Sequence, residues 1–308
     1  MKYLLAEAKH HTSVHSDAAS DPKNHEVRVS VAFAGICHSD LARVAEGVGP
    51  FPFRMGHEVS GVVLSDSFME YPKGTRVACY TKSGYATEIN VPVSDLVRLD
   101  DRCTLLDGAL AEPLACVIGG IDMLDLTHER EIVLVGAGFM GLLALRYLVV
   151  MGYRVTVVEP RENAQSAARD LGAYRVLAPR DDLSSSLGLQ SVVVEATGAS
   201  SGLDLASSLL GNGGTLGVLG YHQSASGRRQ IDMESWNYRA LRVLSLHHRE
   251  PTNVKLWMDR AQRASANRVI RPSELVDECL SLADVPKIFS GSSQHAGIKT
   301  VVDFSRDS

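Results

Sequence analysis

The chain has 308 residues, of which 45% are hydrophobic, and a formal net charge of −5 at pH 7; its length suits two domains of roughly 150 residues with sizeable cores rather than a disordered chain. The acidic balance argues against a nucleic-acid partner, which would favour a basic surface. No run approaches the roughly 18 apolar residues of a membrane span, and the start is charged too soon for a signal peptide, so we expect a cytoplasmic protein without a membrane partner.

Residues 1 to about 107 are predicted to form short strands separated by turns. Apolar residues alternate along 27–33, and further strands are expected at 59–64, 74–78 and 84–91. Glycine and proline punctuate these strands, which is typical of a β-rich domain. Several histidines also fall here in polar, turn-like surroundings, and we interpret them as solvated surface: His10, His11, His15 and His25.

Two short stretches of this region carry groups that can bind a metal. Cys37-His38-Ser39-Asp40 follows the strand at 27–33, and Gly56-His57-Glu58 precedes the strand at 59–64. Much further on, Glu112 stands in Ala111-Glu112-Pro113-Leu114. Cysteine, histidine and glutamate together suit a tetrahedral Zn²⁺ with one open position, whereas each residue alone also fits a core position or an exposed turn.

From about residue 117 the pattern changes to alternating strands and helices. A continuous apolar run at 131–135 is what a buried parallel strand requires, and a helical stretch follows at 142–151. The next strand, 154–158, ends in Glu159, and later strands are expected at 191–195 and 215–219. This βαβ series predicts a doubly wound parallel sheet.

A Gly-x-Gly-x-x-Gly motif joins the first of these strands to its helix, and an acid closes the next strand, as in dinucleotide-binding folds. Gly136 permits the tight turn, Gly138 lets the backbone approach the pyrophosphate, and Gly141 lets helix and strand pack closely. Glu159 can accept hydrogen bonds from the ribose and would repel a 2′-phosphate, which predicts NAD, although Arg161 could accommodate that phosphate. The other residues predicted to contact the cofactor are Phe139 and Met140, at the start of the helix, and Thr197 and Gly220, at the ends of later strands.

These motifs, in this order, resemble the zinc-dependent medium-chain alcohol and polyol dehydrogenases. The resemblance covers nearly the whole chain, as far as 299–303. It implies a β-rich GroES-like catalytic domain formed by 1–116 and 247–308, and a Rossmann domain at 117–246. It also implies a homo-oligomer, most simply a dimer, in which nucleotide domains pair edge to edge near the strand at 242–246. An unpaired strand edge is a liability that such pairing would remove.

The resemblance also assigns roles to individual residues. It places one catalytic zinc among Cys37, His57, Glu58 and Glu112, with Glu58 either a direct ligand or just outside the ligand set. Asp40 is expected to accept a hydrogen bond from His57. The catalytic residues implied are Cys37, Ser39, His57 and Glu58, with Ser39 as the first member of a proton relay, and His38 is implied as a contact of the cofactor phosphates.

The chain departs from the family pattern in two places. No histidine follows Asp40 to continue the relay, since 41–43 read Leu-Ala-Arg. Only 79–83 join two strands between which ordinary members insert a lobe with four cysteines for a second, structural zinc. The remaining cysteines are scattered and form no CxxC pair, so we expect one zinc per chain and no disulfide framework. Tyr80, Thr81 and Tyr85 fall near pocket positions of the family and could equally belong to the core or the surface.

The leading functional interpretation is an NAD-dependent zinc dehydrogenase that acts on a secondary alcohol, a polyol or the matching ketone. The Glu-Pro-Leu stretch and 246–250, Leu-His-His-Arg-Glu, look most like the polyol and threonine dehydrogenase branch. One alternative is reduction of a conjugated C=C bond, which would not need Ser39. Another is a non-catalytic nucleotide-binding protein, against which the complete set of metal-site residues argues.

Overall fold

The computed structural model describes residues 1–66, 68–180, 183–223, 225–247, 250–291 and 297–307. The chain divides into two compact units, one formed by Met1–Ala115 with Glu250–Ser308 and the other by Cys116–Arg249. Among the described residues, no helix is both long and apolar enough to cross a membrane.

The first part of the first unit and its C-terminal return contain mostly short strands with a few helices. Within the described ranges, its elements up to the start of the second unit are β1 (Lys2–Ala8), β2 (His11–Ser16), β3 (Glu26–Gly35), α1 (His38–Glu46), β4 (Glu58–Val63), β5 (Arg76–Tyr80), β6 (Glu88–Pro92), β7 (Leu96–Arg98), α2 (Leu105–Ala109) and α3 (Ala111–Ile121).

The second unit alternates strands and helices, and the chain then returns to the first. The elements that follow are β8 (Glu131–Val135), α4 (Phe139–Val150), β9 (Arg154–Val158), α5 (Glu162–Asp170), β10 (Arg175–Leu177), α6 (Leu183–Leu187), β11 (Gln190–Glu195), α7 (Ser200–Ser208), β12 (Leu210–Val218), α8 (Met233–Tyr238), β13 (Arg242–Ser245), α9 (Pro251–Ala266), β14 (Glu278–Leu280), α10 (Val285–Phe289) and β15 (Thr300–Asp303).

The main sheet of the first unit has the strand order β14-β15-β3-β4-β5-β7, and β6 also pairs with β3. Its central strand β3 alternates buried and half-buried residues, and Val27 and Val29 are fully buried. This is the period-two pattern of a strand with one face on the core. The C-terminal strand β15 pairs antiparallel with the end of β3, so that Val301 lies opposite Gly35.

The sheet of the second unit has the order β10-β9-β8-β11-β12-β13, and each adjacent pair is parallel. Apart from their first residues, β8 and β9 are buried throughout, because helices cover both faces of such a sheet. The strand order reverses between β8 and β11, and ligands of this fold bind outside the carboxyl ends of the strands at that point. The predicted class, α/β with a doubly wound parallel sheet and a second, β-rich unit, is confirmed.

Some element boundaries differ from the sequence-based expectations for local reasons. The strand expected at 84–91 begins only at Glu88, because Tyr85 pairs instead with two other segments: its N–H donates to Met55 O and its carbonyl accepts from Leu4 N. The helix expected from 142 begins at Phe139, since the end of the glycine motif forms its first turn. The strand expected at 215–219 extends back to Leu210.

Candidate functional site

The pairing of two strands brings the candidate metal ligands together. β3 and β4 run antiparallel with Gly35 opposite Glu58, so the end of one strand lies beside the start of the other. Cys37 caps the N-terminus of α1 just after β3, and His57 directly precedes β4. The ligand atoms of Cys37, His57 and Glu58 consequently all lie within 4.8 Å of one another.

Gly56 sets the direction from which His57 enters this cluster. Its backbone has φ +99°, a left-handed conformation that side chains disfavour, and an added Cβ would lie 2.7 Å from Tyr85 N. Only glycine therefore allows the chain to pass Tyr85 at this point. A sequence reading can detect Gly-His-Glu as a motif, but this steric reason appears only in the fold.

Asp40 lies behind the imidazole of His57, as the sequence interpretation expected. Its Oδ2 is 3.5 Å from His57 Nδ1 and accepts a hydrogen bond of 2.8 Å from the Tyr85 hydroxyl. Tyr85 is 1% exposed, so it is a core residue beneath the cluster. Tyr80 and Thr81, for which the sequence leaves a pocket role open, are half-buried.

Negatively charged groups surround the imidazole of His57. Burial by itself lowers the pKa of this imidazole, but the hydrogen bond to Asp40, the hydrogen bond and charge of Cys37, and the charge of Glu112 together raise it to about 12. The surrounding groups thus favour a cation at this point. A divalent metal ion that binds there would displace the proton and meet the same favourable potential.

Glu112 and Ser39 flank the compact group. Glu112 lies in the first turn of α3 and is 9% exposed; its charge acts on His57, but its carboxylate is outside the group of three ligand atoms that the described residues bring within 4.8 Å. The Ser39 hydroxyl donates a hydrogen bond of 3.2 Å to Cys37 Sγ. His38, the first residue of α1, is exposed, and its contact with the cofactor stays a prediction.

A buried lysine that the sequence interpretation missed completes the cluster. Lys299 Nζ lies 2.5 Å from Glu58 Oε2 and donates a hydrogen bond of 3.0 Å to Ile36 O. Both side chains are almost fully buried, at 4% and 2% exposure. The ammonium thus neutralises one of the carboxylates next to His57. The only signal in the sequence was a lysine inside the apolar run that leads into β15, where a charged side chain requires a buried partner.

The three glycines of the motif in the second unit have different surroundings. An added Cβ on Gly136, whose φ is +99°, would lie 2.6 Å from Thr197 Cγ2, and one on Gly141 would lie 2.1 Å from Gly136 O. At Gly138 the nearest atom of the described residues would be Arg161 Nη2 at 3.9 Å, so this side of the turn is the open one among the three glycines. Gly138 also caps α4, and the partial positive charge of that helix end favours an anion there.

Phe139 and Met140 form the first turn of α4, where Phe139 is buried and Met140 is half-buried. Thr197 and Gly220 follow the ends of β11 and β12, at the same edge of the sheet as the glycine turn. The methyl group of Thr197 packs against Gly136, since a Cβ added to Gly136 would lie 2.6 Å from Thr197 Cγ2. The structure therefore gathers these predicted cofactor residues along one edge of the second unit.

Glu159 and Arg161, which the sequence presented as rivals, form a pair. The Glu159 carboxylate accepts hydrogen bonds from Ala137 N at 2.7 Å, Arg161 N at 3.0 Å and Arg161 Nε at 2.8 Å. Burial alone raises the pKa of Glu159, but the bonds from Arg161 and from Ala137 N hold it below its usual value. The bond to Glu159 in turn raises the pKa of Arg161. Glu159 therefore remains ionised and ties the glycine turn to Arg161.

Comparison with known families agrees with this geometry. The chain matches the model of the alcohol dehydrogenase GroES-like domain over residues 23–115 and that of the zinc-binding dehydrogenase over residues 140–263. Together with a doubly wound sheet, a glycine turn and a cysteine–histidine–glutamate cluster, these matches define a class of oxidoreductase. The chain belongs to the zinc-dependent medium-chain alcohol and polyol dehydrogenase family.

Individual relatives are distant. Probable formaldehyde dehydrogenase AdhA of Bacillus subtilis (strain 168) is 28% identical over 244 residues, which cover 64% of this chain and 69% of that protein. Galactitol 1-phosphate 5-dehydrogenase of Escherichia coli (strain K12) is 24% identical over 234 residues, covering 63% and 68%. An NADP-bound structure of a Sinorhizobium meliloti 1021 protein described as a zinc-binding dehydrogenase superposes with a TM-score of 0.87 at 22% identity and covers 98% of both chains.

The stretch at 246–250, which suggested the polyol and threonine branch, is only partly described. His247 packs edge-on against Tyr221 with ring centroids 5.6 Å apart. His248 and Arg249 lie outside the described residues.

Proposed function

We propose that this protein is a zinc-dependent dehydrogenase that transfers hydride between NAD(H) and a secondary alcohol or polyol, or the matching ketone. The observation that carries the proposal is the compact cluster of Cys37, His57 and Glu58, whose ligand atoms lie within 4.8 Å of one another. A cluster of this chemistry suits zinc, and the same chain carries a dinucleotide-binding turn.

The residues present fit a zinc ion. Cys37 and His57 offer the thiolate and imidazole that zinc prefers, and the anionic surroundings favour a cation. Cys37, His57 and Glu112 would hold the metal. The carboxylate of Glu58 is already neutralised by Lys299 at 2.5 Å, so we assign it to the surroundings of the metal and not to the ligand set. This arrangement would keep one position open for substrate.

When bound, zinc supplies a Lewis acid that polarises the substrate oxygen, and the nicotinamide accepts or donates the hydride. The side chains around the metal then have separate roles. Asp40 Oδ2 lies 3.5 Å from His57 Nδ1 and orients the imidazole. Ser39 can both accept and donate a proton, and its contact with Cys37 keeps its hydroxyl beside the site, which supports a role in carrying the proton of the substrate hydroxyl.

We further propose NAD as the preferred cofactor. Glu159 is 3% exposed and ionised, and a 2′-phosphate beside it would bring two negative groups together. Arg161 could offset that repulsion, but its Nε and Nη2 already donate to Glu159. The NADP bound to the Sinorhizobium protein makes the comparison of cofactors necessary. Steady-state kinetics with both should give a higher kcat/KM for NAD, and an equal or higher value for NADP would refute this preference.

We also propose a cytoplasmic homodimer. The edge strand β13 supports pairing between two copies, since most of its residues are exposed and Val243 is 41% exposed. Cys37, Cys79, Cys103 and Cys279 form no disulfide among the described residues, which supports a reducing compartment.

The decisive experiment is a substrate screen with protein of measured zinc content. Secondary alcohols and polyols are tested with NAD⁺, ketones with NADH, and conjugated enones with NADH and NADPH. We expect turnover of at least one alcohol–ketone pair, lost when a chelator removes zinc and restored by added zinc. Reduction of enones alone, independent of zinc, would favour the C=C reductase alternative. Cofactor binding without turnover of any class would favour a non-catalytic protein.

A further inference from the structure

Three polar side chains of the second unit are connected by hydrogen bonds and belong to neither the glycine turn nor the metal cluster. They are Glu195 at the end of β11, His222 in the loop after β12, and Arg229 further along that loop. Glu195 is fully buried and the His222 side chain is 12% exposed. A buried carboxylate and a buried imidazole are costly unless they are paired. Their contact therefore constrains the loops that carry them.

Glu195 ties its own loop to that of the neighbouring strand. One oxygen, Oε1, accepts hydrogen bonds from Thr197 N at 2.6 Å and Gly198 N at 2.8 Å. The other, Oε2, contacts His222 Nε2 at 2.8 Å. An added Cβ on Gly220 would lie 2.3 Å from Gly198 N and 2.7 Å from Glu195 Oε2, so the two loops touch directly. A shift of one loop must therefore move the other.

The contact with Arg229 fixes the protonation state of His222. Arg229 Nε donates to His222 Nδ1 at 2.9 Å, and a guanidinium has no acceptor. Nδ1 is therefore unprotonated, the hydrogen lies on Nε2, and the neutral ring donates it to Glu195. Arg229 Nη2 also donates to Gly198 O at 3.2 Å, which closes the chain back onto the loop after β11.

The position of these three hydrogen-bonded side chains in the sheet indicates which half of the cofactor they lie beside. In this fold each half of the sheet takes one mononucleotide, and Glu159 at the end of β9 marks the half that takes adenosine. β11 and β12 belong to the other half, beyond the point where the strand order reverses. Their loops therefore border the nicotinamide.

Resting on the proposed dehydrogenase function, we infer that His222 is a positioning residue for the nicotinamide half of the cofactor. Its neutral ring bridges the carboxylate of Glu195 and the guanidinium of Arg229. These contacts hold the backbone at 197–198 and 220–221 in a fixed relative position. It does not touch the adenosine half, which the glycine turn and Glu159 serve. Its loss consequently weakens whole-cofactor binding more than binding of the adenosine diphosphate half.

The test compares two ligands in one variant. For His222→Ala, NADH binding is measured by fluorescence and ADP binding by calorimetry; NADPH and the 2′-phosphate analogue of ADP replace them if the wild type prefers NADPH. We expect the Kd for NADH to rise by about tenfold or more, a loss of roughly 1.4 kcal/mol, while that for ADP stays within about twofold. His222→Gln, which keeps an amide donor and acceptor, should recover most of the affinity.

Two controls keep the outcomes separate. His128 is exposed and precedes β8, so it lies near the amino ends of the strands, whereas His222 lies near their carboxyl ends. His128→Ala should therefore change neither affinity. If His222→Ala does not fold, Arg229→Gln tests the same chain from its other end. Equal loss of NADH and ADP affinity, or no loss of either, would overturn the inference. A wild-type protein that bound neither reduced cofactor would overturn the proposed function itself, and the inference with it.

Discussion

At the scale of single residues, the ion pair between Lys299 and Glu58 determines the charge balance beside the metal ligands. Both side chains are at most 4% exposed, and Nζ and Oε2 are 2.5 Å apart. Such a pair is costly to bury, but removal of one partner is worse because it leaves an uncompensated charge. The carboxylates of Asp40 and Glu112 also act on His57, so the loss of the lysine cation would increase the excess of negative charge around the imidazole.

We predict that Lys299→Met destabilises the zinc-free protein by roughly 3–5 kcal/mol, the usual cost of breaking a buried pair. Lys287→Met is the matched control, since Lys287 is 73% exposed and its pair with Asp284 should contribute about 1 kcal/mol or less. Urea unfolding curves of the two variants and the wild type give the comparison. Equal midpoints for the two variants would mean that Lys299 is not needed to balance Glu58.

Glu159 offers a second prediction at this scale, about the choice of cofactor. Glu159→Gln keeps an oxygen that can accept from Ala137 N but removes the charge that opposes a 2′-phosphate and engages Arg161. The ratio of kcat/KM for NADP to that for NAD should rise by about tenfold or more, equivalent to roughly 1.4 kcal/mol. An unchanged ratio would show that the 2′ position does not meet Glu159.

At the scale of elements, the turn between β8 and α4 separates packing from ligand binding. An added Cβ at Gly141 would lie 2.1 Å from a carbonyl oxygen, whereas one at Gly138 would meet no atom of the described part of the chain nearer than 3.9 Å. The first position is closed by the protein itself, and the second faces the space where a pyrophosphate would lie.

Gly141→Ala should therefore lower the thermal stability of the protein, while Gly138→Ala should leave the melting temperature nearly unchanged and weaken NADH binding by about tenfold or more. Differential scanning fluorimetry and a fluorescence titration with NADH measure the two effects. Unfolding of the Gly138→Ala protein, or NADH binding as tight as that of the wild type, would contradict the separate roles of the two glycines.

The pairing of strands that are distant in the chain explains which features could be predicted from the sequence and which could not. The glycine turn and Gly-His-Glu are contiguous, so their order along the chain was enough to propose them. Lys299 reaches Ile36, 263 positions away, only because β15 pairs with β3, and sequence gives no measure of that register. Glu195 did carry a readable signal: like Glu159, it is an acid that closes an apolar strand. Its partner His222 depends on the adjacency of β11 and β12.

At the scale of the whole molecule, the exposed edge of the second sheet predicts association. β13 is the terminal strand of the order seen in the described residues, and an unpaired edge can pair with another copy. Light scattering should give about twice the chain mass of 33.3 kDa. Val243→Lys, on β13, should shift the protein towards monomer, whereas Val150→Lys, at a similarly exposed site on α4, should not. A wild-type monomer at micromolar concentration would contradict the dimer.

We propose that a zinc ion held by Cys37, His57 and Glu112 in the first unit is needed for turnover but not for binding of the nucleotide by the second. Elemental analysis, NADH titration and turnover on the substrate found in the screen, each measured on the wild type and on Cys37→Ala, test this proposal. We predict one zinc per wild-type chain, and for Cys37→Ala little retained zinc, no detectable turnover and an unchanged Kd for NADH. Near-normal turnover by zinc-free Cys37→Ala would rule out a zinc-dependent reaction.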